Sequence, residues 1–285
     1  MTQGYSKHLV QFFKKNSAGW LLLITGLVSL VFLIVGYLTF TITETELNGY
    51  VFSALFAGMA LFVSAIFLAL EYKVETRIRD AEIELKATVG LANYTNINLP
   101  LNWGDYAITA HFLDRLVKEI HRNKPALILE CGSGTSTMVA ASCLKEMGQG
   151  KVVSLDHLDQ YARKTRDFLR LEGLEKHAEV VTAPLTEYEL DSGMFQWYGN
   201  GYEGHIDRSI DMLVVDGPPG RLQSLSRYPT VPLLRNSLAD EVVIMLDDGN
   251  RSDEKKIAKK WADELDATLE YDDGYKGYWV VRKNS

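Results

Sequence analysis

Two stretches of this chain carry no charge at all. Residues 16–43 and 47–70 hold no Lys, Arg, Asp or Glu, giving apolar runs of 28 and 24 residues. Each is longer than the roughly 20 residues that take an α-helix across a bilayer. The first reads AGWLLLITGLVSLVFLIVGYLTF (18–40), the second covers about 50–70, and only TITETELNG separates them. So short a link predicts an antiparallel transmembrane hairpin. The first run is too long for a signal peptide, lacks a small-residue cleavage site and is followed by a second span. Lys7, Lys14 and Lys15 precede the pair and Lys73, Arg77 and Arg79 follow it, whereas the link holds only Glu44 and Glu46. Basic residues favour the cytoplasmic side, so both termini and everything after the hairpin are expected inside an inner, cytoplasmic membrane, as a multi-pass protein. Ser53, Ala54, Ala57 and Gly58 place small residues where helices can approach closely, which leaves a homodimer contact open beside a plain lipid-facing surface.

Beyond residue 71 the pattern changes. Val74, Ile78, Ala81 and Leu85 recur at helical spacing among mixed charges, which predicts that the second span continues as an amphipathic helix ending near Gly90. ANYTNINLPLNWG then reads as a linker. The expected organisation is an anchor over 1–71, a connecting helix and linker over 72–98, and a globular domain over 99–285.

In that domain helical and strand patterns alternate. AITAHFLDRLVKEIH is an amphipathic helix, ALILE (126–130) a buried strand, and KVVSLD (151–156), AEVVTA (178–183), IDMLVVD (210–216) and EVVIMLDD (241–248) further strands with helices between them. The last residues, ATLEYDDGYKGYWVVRK, read as a hairpin around Asp273-Gly274. Such alternation predicts an α/β fold, a doubly wound and mostly parallel seven-stranded sheet whose final hairpin adds an antiparallel strand. Ligands of such sheets bind at the carboxyl ends of the strands. Those ends here are Glu130, Asp156, Ala183, Asp216, Asp247 and Asp248, acids with one exception.

Charge supports the division and excludes one class of partner. Residues 1–90 hold seven basic and seven acidic side chains, so the formal net charge of −7 belongs to residues 91–285. An acidic domain is a poor match for nucleic acid. Cys131 and Cys143 form neither a disulfide framework nor a zinc spacing.

Between the first strand and its helix lies Glu130-Cys131-Gly132-Ser133-Gly134-Thr135-Ser136-Thr137. The third glycine of a dinucleotide fingerprint is Thr137 here, which argues against a nicotinamide oxidoreductase, and no phosphate-loop lysine follows. An acid just before the first glycine repels a pyrophosphate and suits a cationic amine. Asp156, 24 residues past Gly132, stands where a carboxylate takes ribose hydroxyls. An amine, a ribose and no phosphate describe S-adenosylmethionine (SAM).

Together with Asp156-His157, the APL after the third strand, DGPPG (216–220), RYP (227–229) and LDDGNR (246–251), this turn resembles class I SAM-dependent methyltransferases. It is most similar to the bacterial branch related to catechol O-methyltransferases, with a Rossmann-like domain. The likeness covers roughly residues 99–282. It implies that Glu130 takes the methionine amine, that Gly132, Ser133 and Gly134 back the ligand, and that Asp156 holds the ribose. His157 and Ala183 border the adenine, and Ser136 and Thr137 complete the cofactor-binding set. It also implies a metal site of Asp216, Asp247 and Asp248 for Mg²⁺ or Ca²⁺, although Asp248 replaces the amide of the family's acid–amide pair. If a metal binds, it lowers the pKa of an acceptor hydroxyl. Without one, Asp216 or His205 is the general base. The alternative for the acidic pair is that Asp247 and Asp248 cap the next helix.

The segment TEYELDSGMFQWYGNGYEGHIDRS (186–209) is dense in aromatics and glycine, and Trp197, Tyr198, Tyr202 and His205 are expected to form a substrate lid, with a packed Ω-loop as the alternative. The implied activity is O-methylation of a membrane-associated or small-molecule acceptor, for instance a lipid-linked glycan. The competing class is a non-catalytic SAM-binding membrane scaffold or sensor.

Overall fold

The computed structural model describes residues 46–94, 108–199 and 201–284, with isolated helical positions between 31 and 41. Most of the first expected span, and with it the hairpin, lies outside the described residues, as does the linker over 95–107. The chain divides into two units, Met1–Ile78 and Arg79–Ser285.

Helix α1 runs unbroken over Glu46–Tyr94, 49 residues, so the second apolar run and the amphipathic segment form one helix. It starts before the expected position near Tyr50 and passes Gly90. Its part over Ser53–Leu91 has a mean hydropathy of 2.3 and is long and apolar enough to cross a membrane. The expected apolar stripe faces the wrong way: Val74, Ile78, Ala81 and Leu85 are exposed, and within the second unit Ala87 and Leu91 are buried instead. Small residues decide this. A Cβ at Gly90 would stand 3.0 Å from Asp114 Oδ1, and Glu84 accepts a 2.8 Å hydrogen bond from the Ala110 amide. The break between units therefore falls inside α1, past residue 71.

The second unit is organised by a seven-stranded sheet of order β3-β2-β1-β6-β7-β9-β8. Its strands are β1 (Leu127–Cys131), β2 (Lys151–Asp156), β3 (Ala178–Thr182), β6 (Ile210–Val215), β7 (Leu238–Asp247), β8 (Thr268–Asp272) and β9 (Tyr278–Lys283). The first five are mutually parallel, and β9 is antiparallel to both β7 and β8. Helices α2 (Ala110–Asn123), α3 (Thr135–Met147) and α4 (Asp159–Leu171) connect the first half, and α5 (Thr230–Leu234) and α6 (Ser252–Leu265) the second. Successive strand residues point to opposite faces. Ile128, Val152, Met212, Val214, Val243 and Met245 pack with Phe112, Leu116 and Val139. Leu129, Val153, Leu213, Val215 and Ile244 pack with Trp197, Tyr228 and Trp261. Both faces are thus covered, as parallel sheets require.

The aromatic segment differs from its expected form. It is a second, two-stranded sheet, β4 (Leu185–Leu190) paired antiparallel with β5 (Gly193–Tyr198). Trp197 and Tyr198 are wholly buried and Tyr202 nearly so. Trp197 packs edge-on to Tyr188, Tyr198 and Tyr202, and its indole Nε1 donates to Thr230 Oγ1 at 3.1 Å. These rings are core, not an open lid or an Ω-loop, because burying so much aromatic surface outweighs leaving it mobile.

At the junction of β7 and α6, a Cβ on Gly249 would lie 2.7 Å from the Cα and N of Tyr278 in β9. Gly249→Ala must push two backbones apart and is expected to destabilise the chain by about 1–3 kcal/mol. Urea denaturation of the detergent-solubilised protein, followed by tryptophan fluorescence, checks this; an unchanged midpoint refutes the contact.

Candidate active site

The carboxyl edge of the sheet gathers the acids. Cys131 lies beside Leu155 and Val215 in register, and Val215 beside Leu246, so the residues closing β1, β2, β6 and β7 form one row. Gly132 makes the first turn with φ of +101°, a conformation in which a side chain is strained. Its amide donates to Leu155 O at 2.8 Å, and a Cβ there would come 3.4 Å from the Gly217 amide nitrogen. The chain after β1 is thereby folded tightly against the chain after β6.

Glu130 is 1% exposed and accepts a short hydrogen bond from Thr137 Oγ1. Thr137 Oγ1 in turn accepts from the Gly134 amide at 3.0 Å, so Gly134 and Thr137 fix the start of α3 around the carboxyl group. Burial pushes Glu130 up to about 7, with hydrogen bonds from Ser136, Thr137 and Ser154 opposing and the charge of Asp216 reinforcing the rise. Among the described residues no basic side chain pairs with it.

Asp156 closes β2. Its Oδ2 accepts from Ser133 Oγ at 2.7 Å and from the Ser133 amide at 3.3 Å, and its Oδ1 accepts from the Leu158 amide at 3.0 Å. Ser133 Oγ also lies 3.2 Å from Thr165 Oγ1. His157 stands with Nδ1 3.8 Å from Asp156 Oδ1; burial lowers its pKa against the pull of that carboxylate. Ala183, just past β3, donates its amide to Asp156 O at 2.8 Å. The sequence-predicted cofactor residues therefore sit together along the ends of β1, β2 and β3.

Asp216, Asp247 and Asp248 also converge, each with an oxygen within 4.8 Å of the others. Among them is a fourth group that the sequence reading left without a role. Arg227, its side chain 3% exposed, puts Nη2 3.1 Å from Asp216 Oδ1 and 2.8 Å from Asp248 Oδ2. Its Nη1 donates to Asp247 O at 2.9 Å and its Nε to Pro218 O at 3.4 Å. Arg251 Nη1 holds Asp248 Oδ2 from the other side at 2.8 Å. Asp248 adopts φ of +59°, which short polar side chains tolerate best. Asp247 is 1% exposed and neither carboxyl oxygen has a hydrogen-bond partner among the described residues. Burial first, then Asp216 and Asp248, hold it well above the usual carboxylate range. Asp216 is also raised, by burial against the pull of Arg227, yet its side chain is 29% exposed where that of Asp248 is 7%.

Do these carboxylates fit a divalent ion? Mg²⁺ or Ca²⁺ needs oxygens at about 2.0–2.6 Å. The oxygens of Asp216 and Asp248 that face one another are already hydrogen-bonded to a single guanidinium nitrogen. A guanidinium already stands among the carboxylates and holds one oxygen of Asp216 and one of Asp248, so despite the unpartnered oxygens of Asp247 the arrangement does not fit the metal that the family resemblance implied.

His205 is not brought to this edge. Its Nδ1 pairs with Glu179 Oε1 at 2.7 Å. Glu179 lies three residues, roughly 10 Å, upstream of Thr182, which pairs with Asp156. His205 thus sits toward the opposite end of β3 from Asp216. Cys131 is buried and pushed up to about 12 by desolvation, which leaves it an inert thiol. Tyr198, expected in a substrate lid, instead points its buried hydroxyl at Gly217, close against where a Cβ there would stand, and that hydroxyl has no hydrogen-bond partner among the described residues.

Glu130 makes the stability pH-dependent. Its folded pKa of about 7 exceeds the ordinary 4.5. The contribution of Glu130 to stability is therefore fullest below 4.5 and is lost as pH rises to 7, by about 3 kcal/mol at 1.36 kcal/mol per unit. Glu130→Gln is expected to remove that loss. Urea midpoints at pH 5 and pH 7.5, compared between the wild type and the variant, measure it; equal pH dependence in both disproves the assignment.

Residues 129–249 match a family described as a methyltransferase domain. The fold is similar to that of an SAH-bound methyltransferase of Podospora anserina, PaMTH1, at 14% identity and a TM-score of 0.51, covering 74% of this chain and 96% of that one. It is also similar to the O-methyltransferase TomG of Streptomyces achromogenes, in complex with SAM, at 16% identity and a TM-score of 0.47, covering 72% and 90%. No curated protein matches the chain. The glycine turn after β1, the acids closing β1 and β2, and the methyltransferase-domain match over this same edge lead to one conclusion: the enzyme is a SAM-dependent methyltransferase.

Proposed function

We propose that the protein methylates an oxygen nucleophile on a membrane-associated acceptor, from the cytoplasmic face of an inner membrane. The observation that carries the cofactor assignment to particular residues is the pair Glu130 and Asp156, buried carboxyl groups closing adjacent strands on either side of Gly132. In this reading Glu130 meets the methionine amine, Asp156 the ribose, and His157 and Ala183 the adenine. A bound ammonium group supplies the cation that the buried Glu130 lacks.

Asp216 serves as general base. It is the one carboxylate of the cluster open enough to meet an acceptor hydroxyl, and Arg227 holds it in place. Methyl transfer itself requires the oxygen, the methyl carbon and the sulfur in line, so positioning carries most of the remaining rate. The attacking oxygen bonds to the methyl carbon as the carbon–sulfur bond breaks, the sulfonium becomes a neutral thioether, and the hydroxyl proton passes to Asp216.

The membrane location rests on α1, whose apolar residues from Val51 to Leu70 stand largely exposed. Water does not favour so large an apolar surface, and a bilayer does. A second span over 18–40 and a helix-mediated homodimer belong to the same reading. A lipid-linked glycan is an acceptor such an anchor suits, since anchoring concentrates the enzyme near membrane-borne hydroxyls.

Calorimetry on the full chain in detergent is expected to give SAM binding that Asp156→Ala weakens at least tenfold, with no binding of NAD. Membranes incubated with methyl-labelled SAM are expected to transfer label to an extractable fraction. Asp216→Asn should slow that transfer by about 10²-fold or more while leaving SAM affinity within about threefold. Label appearing only in protein refutes a lipid or glycan acceptor. Transfer indifferent to Asp216→Asn refutes the base, and chain released by alkaline carbonate refutes the anchor.

A further inference from the structure

We propose that Arg227 is the resident cation of the carboxylate cluster at the ends of β6 and β7, standing where a divalent metal would otherwise be held. The inference concerns the charge chemistry of the edge and does not depend on which acceptor is methylated.

Three observations carry it. The guanidinium is enclosed: its side chain is 3% exposed, and the next residue is fixed on both sides. Tyr228 O accepts from Trp261 Nε1 at 2.9 Å, and Tyr228 Oη donates to Glu264 Oε1 at 2.7 Å. This is not a surface arginine that has swung inward.

Its donors are committed. They reach Pro218 O, Asp247 O, Asp216 Oδ1 and Asp248 Oδ2, and Nη1 lies 3.8 Å from Glu254 Oε1. A planar fork of five N–H groups thus ties the end of β6, the end of β7 and the start of α6 into one unit. A compact ion cannot reproduce contacts spread over three elements.

The third observation is the side chain at 248. A carboxylate there accepts from Arg227 and Arg251 through one oxygen, each at 2.8 Å. An amide lacks the charge that holds two guanidinium groups at once.

The consequence is a specificity. A metal site can bind an acceptor through two adjacent oxygens, whereas this edge has a buried guanidinium already donating to four oxygens and one open carboxylate. It is suited to acceptors presenting a single hydroxyl, with Arg227 as a positioning residue acting through Asp216.

Mn²⁺ titration of the full chain in detergent, read by electron paramagnetic resonance, tests the proposal without reference to activity. The wild type is expected to show no saturable binding, and its melting temperature is expected to ignore Mg²⁺, Ca²⁺ and Mn²⁺. Arg227→Gln leaves the carboxylates without their cation, so its melting temperature is expected to rise when Mn²⁺ is added. Arg227→Lys is expected to remain insensitive. Saturable binding of one Mn²⁺ per wild-type chain, abolished by Asp247→Asn, would overturn the proposal, as would an Arg227→Gln protein that folds and gains no response to Mn²⁺. The wild-type titration decides the matter alone if Arg227→Gln does not fold.

Discussion

A parallel sheet covered on both faces leaves its polar groups only the ends of the strands. In this protein the constraint is tight, because one face is filled by α2, α3 and α4 and the other by α5, α6 and the aromatic β4–β5 hairpin. The acids closing these strands are therefore buried, with Asp216 partly open, and held near their neighbours. Glu130, Asp156, Asp216, Asp247 and Asp248 share one edge, and there lost hydration first, then like charge, raises Glu130, Asp216 and Asp247. Everything else at this edge is a response to that crowding. Hydroxyls of Ser133 and Thr137 satisfy the acids of β1 and β2, and guanidinium groups hold Asp216 and Asp248, while the carboxyl group of Asp247 has no hydrogen-bond partner among the described residues.

The two halves of the edge use different means, and the difference bears on chemistry. Around β1 and β2 the donors are neutral, so a cationic ligand finds a carboxyl group still in need of a charge partner. Around β6 and β7 the charge is built in, and one carboxylate remains partly open. Between these halves lies the switch point where β1 pairs with β6, the place where such sheets take their ligands and where the proposed reading sets sulfonium donor and hydroxyl acceptor.

How much of this was legible in the sequence follows from how far apart the interacting residues lie. The β1 turn could be read directly, since Glu130, Gly132, Ser133, Gly134 and Thr137 are neighbours in sequence and also in space. The sheet was legible because buried parallel strands are short apolar runs with acids at their ends. The β4–β5 hairpin was not, because LTEYEL is as polar as a loop and only its partner GMFQWY reveals which of its residues turn inward. His205 was misplaced for a related reason. Its chemistry suits catalysis, but position along β3 is a matter of register. Arg227 was visible as a letter in RYP and invisible as a buried charge, because its burial is decided by Asp216, Asp248 and Glu254, which come from three separate elements. The one available signal was arithmetic: several acids at one sheet edge require a counter-charge from somewhere in the chain.

The insertion of β9 between β7 and β8 has a consequence for how the chain is made. β9 comes from Tyr278–Lys283, yet it pairs with β7 over Val242–Asp247. On the ribosome, β7 emerges well before its partner and carries an open, strongly apolar edge until the later strand arrives. Such an edge invites pairing with other chains. Synthesis therefore passes through an interval in which the catalytic edge is nearly assembled, since β1, β2, β3, β6 and β7 can already pair, while the opposite flank of the same sheet is still adhesive.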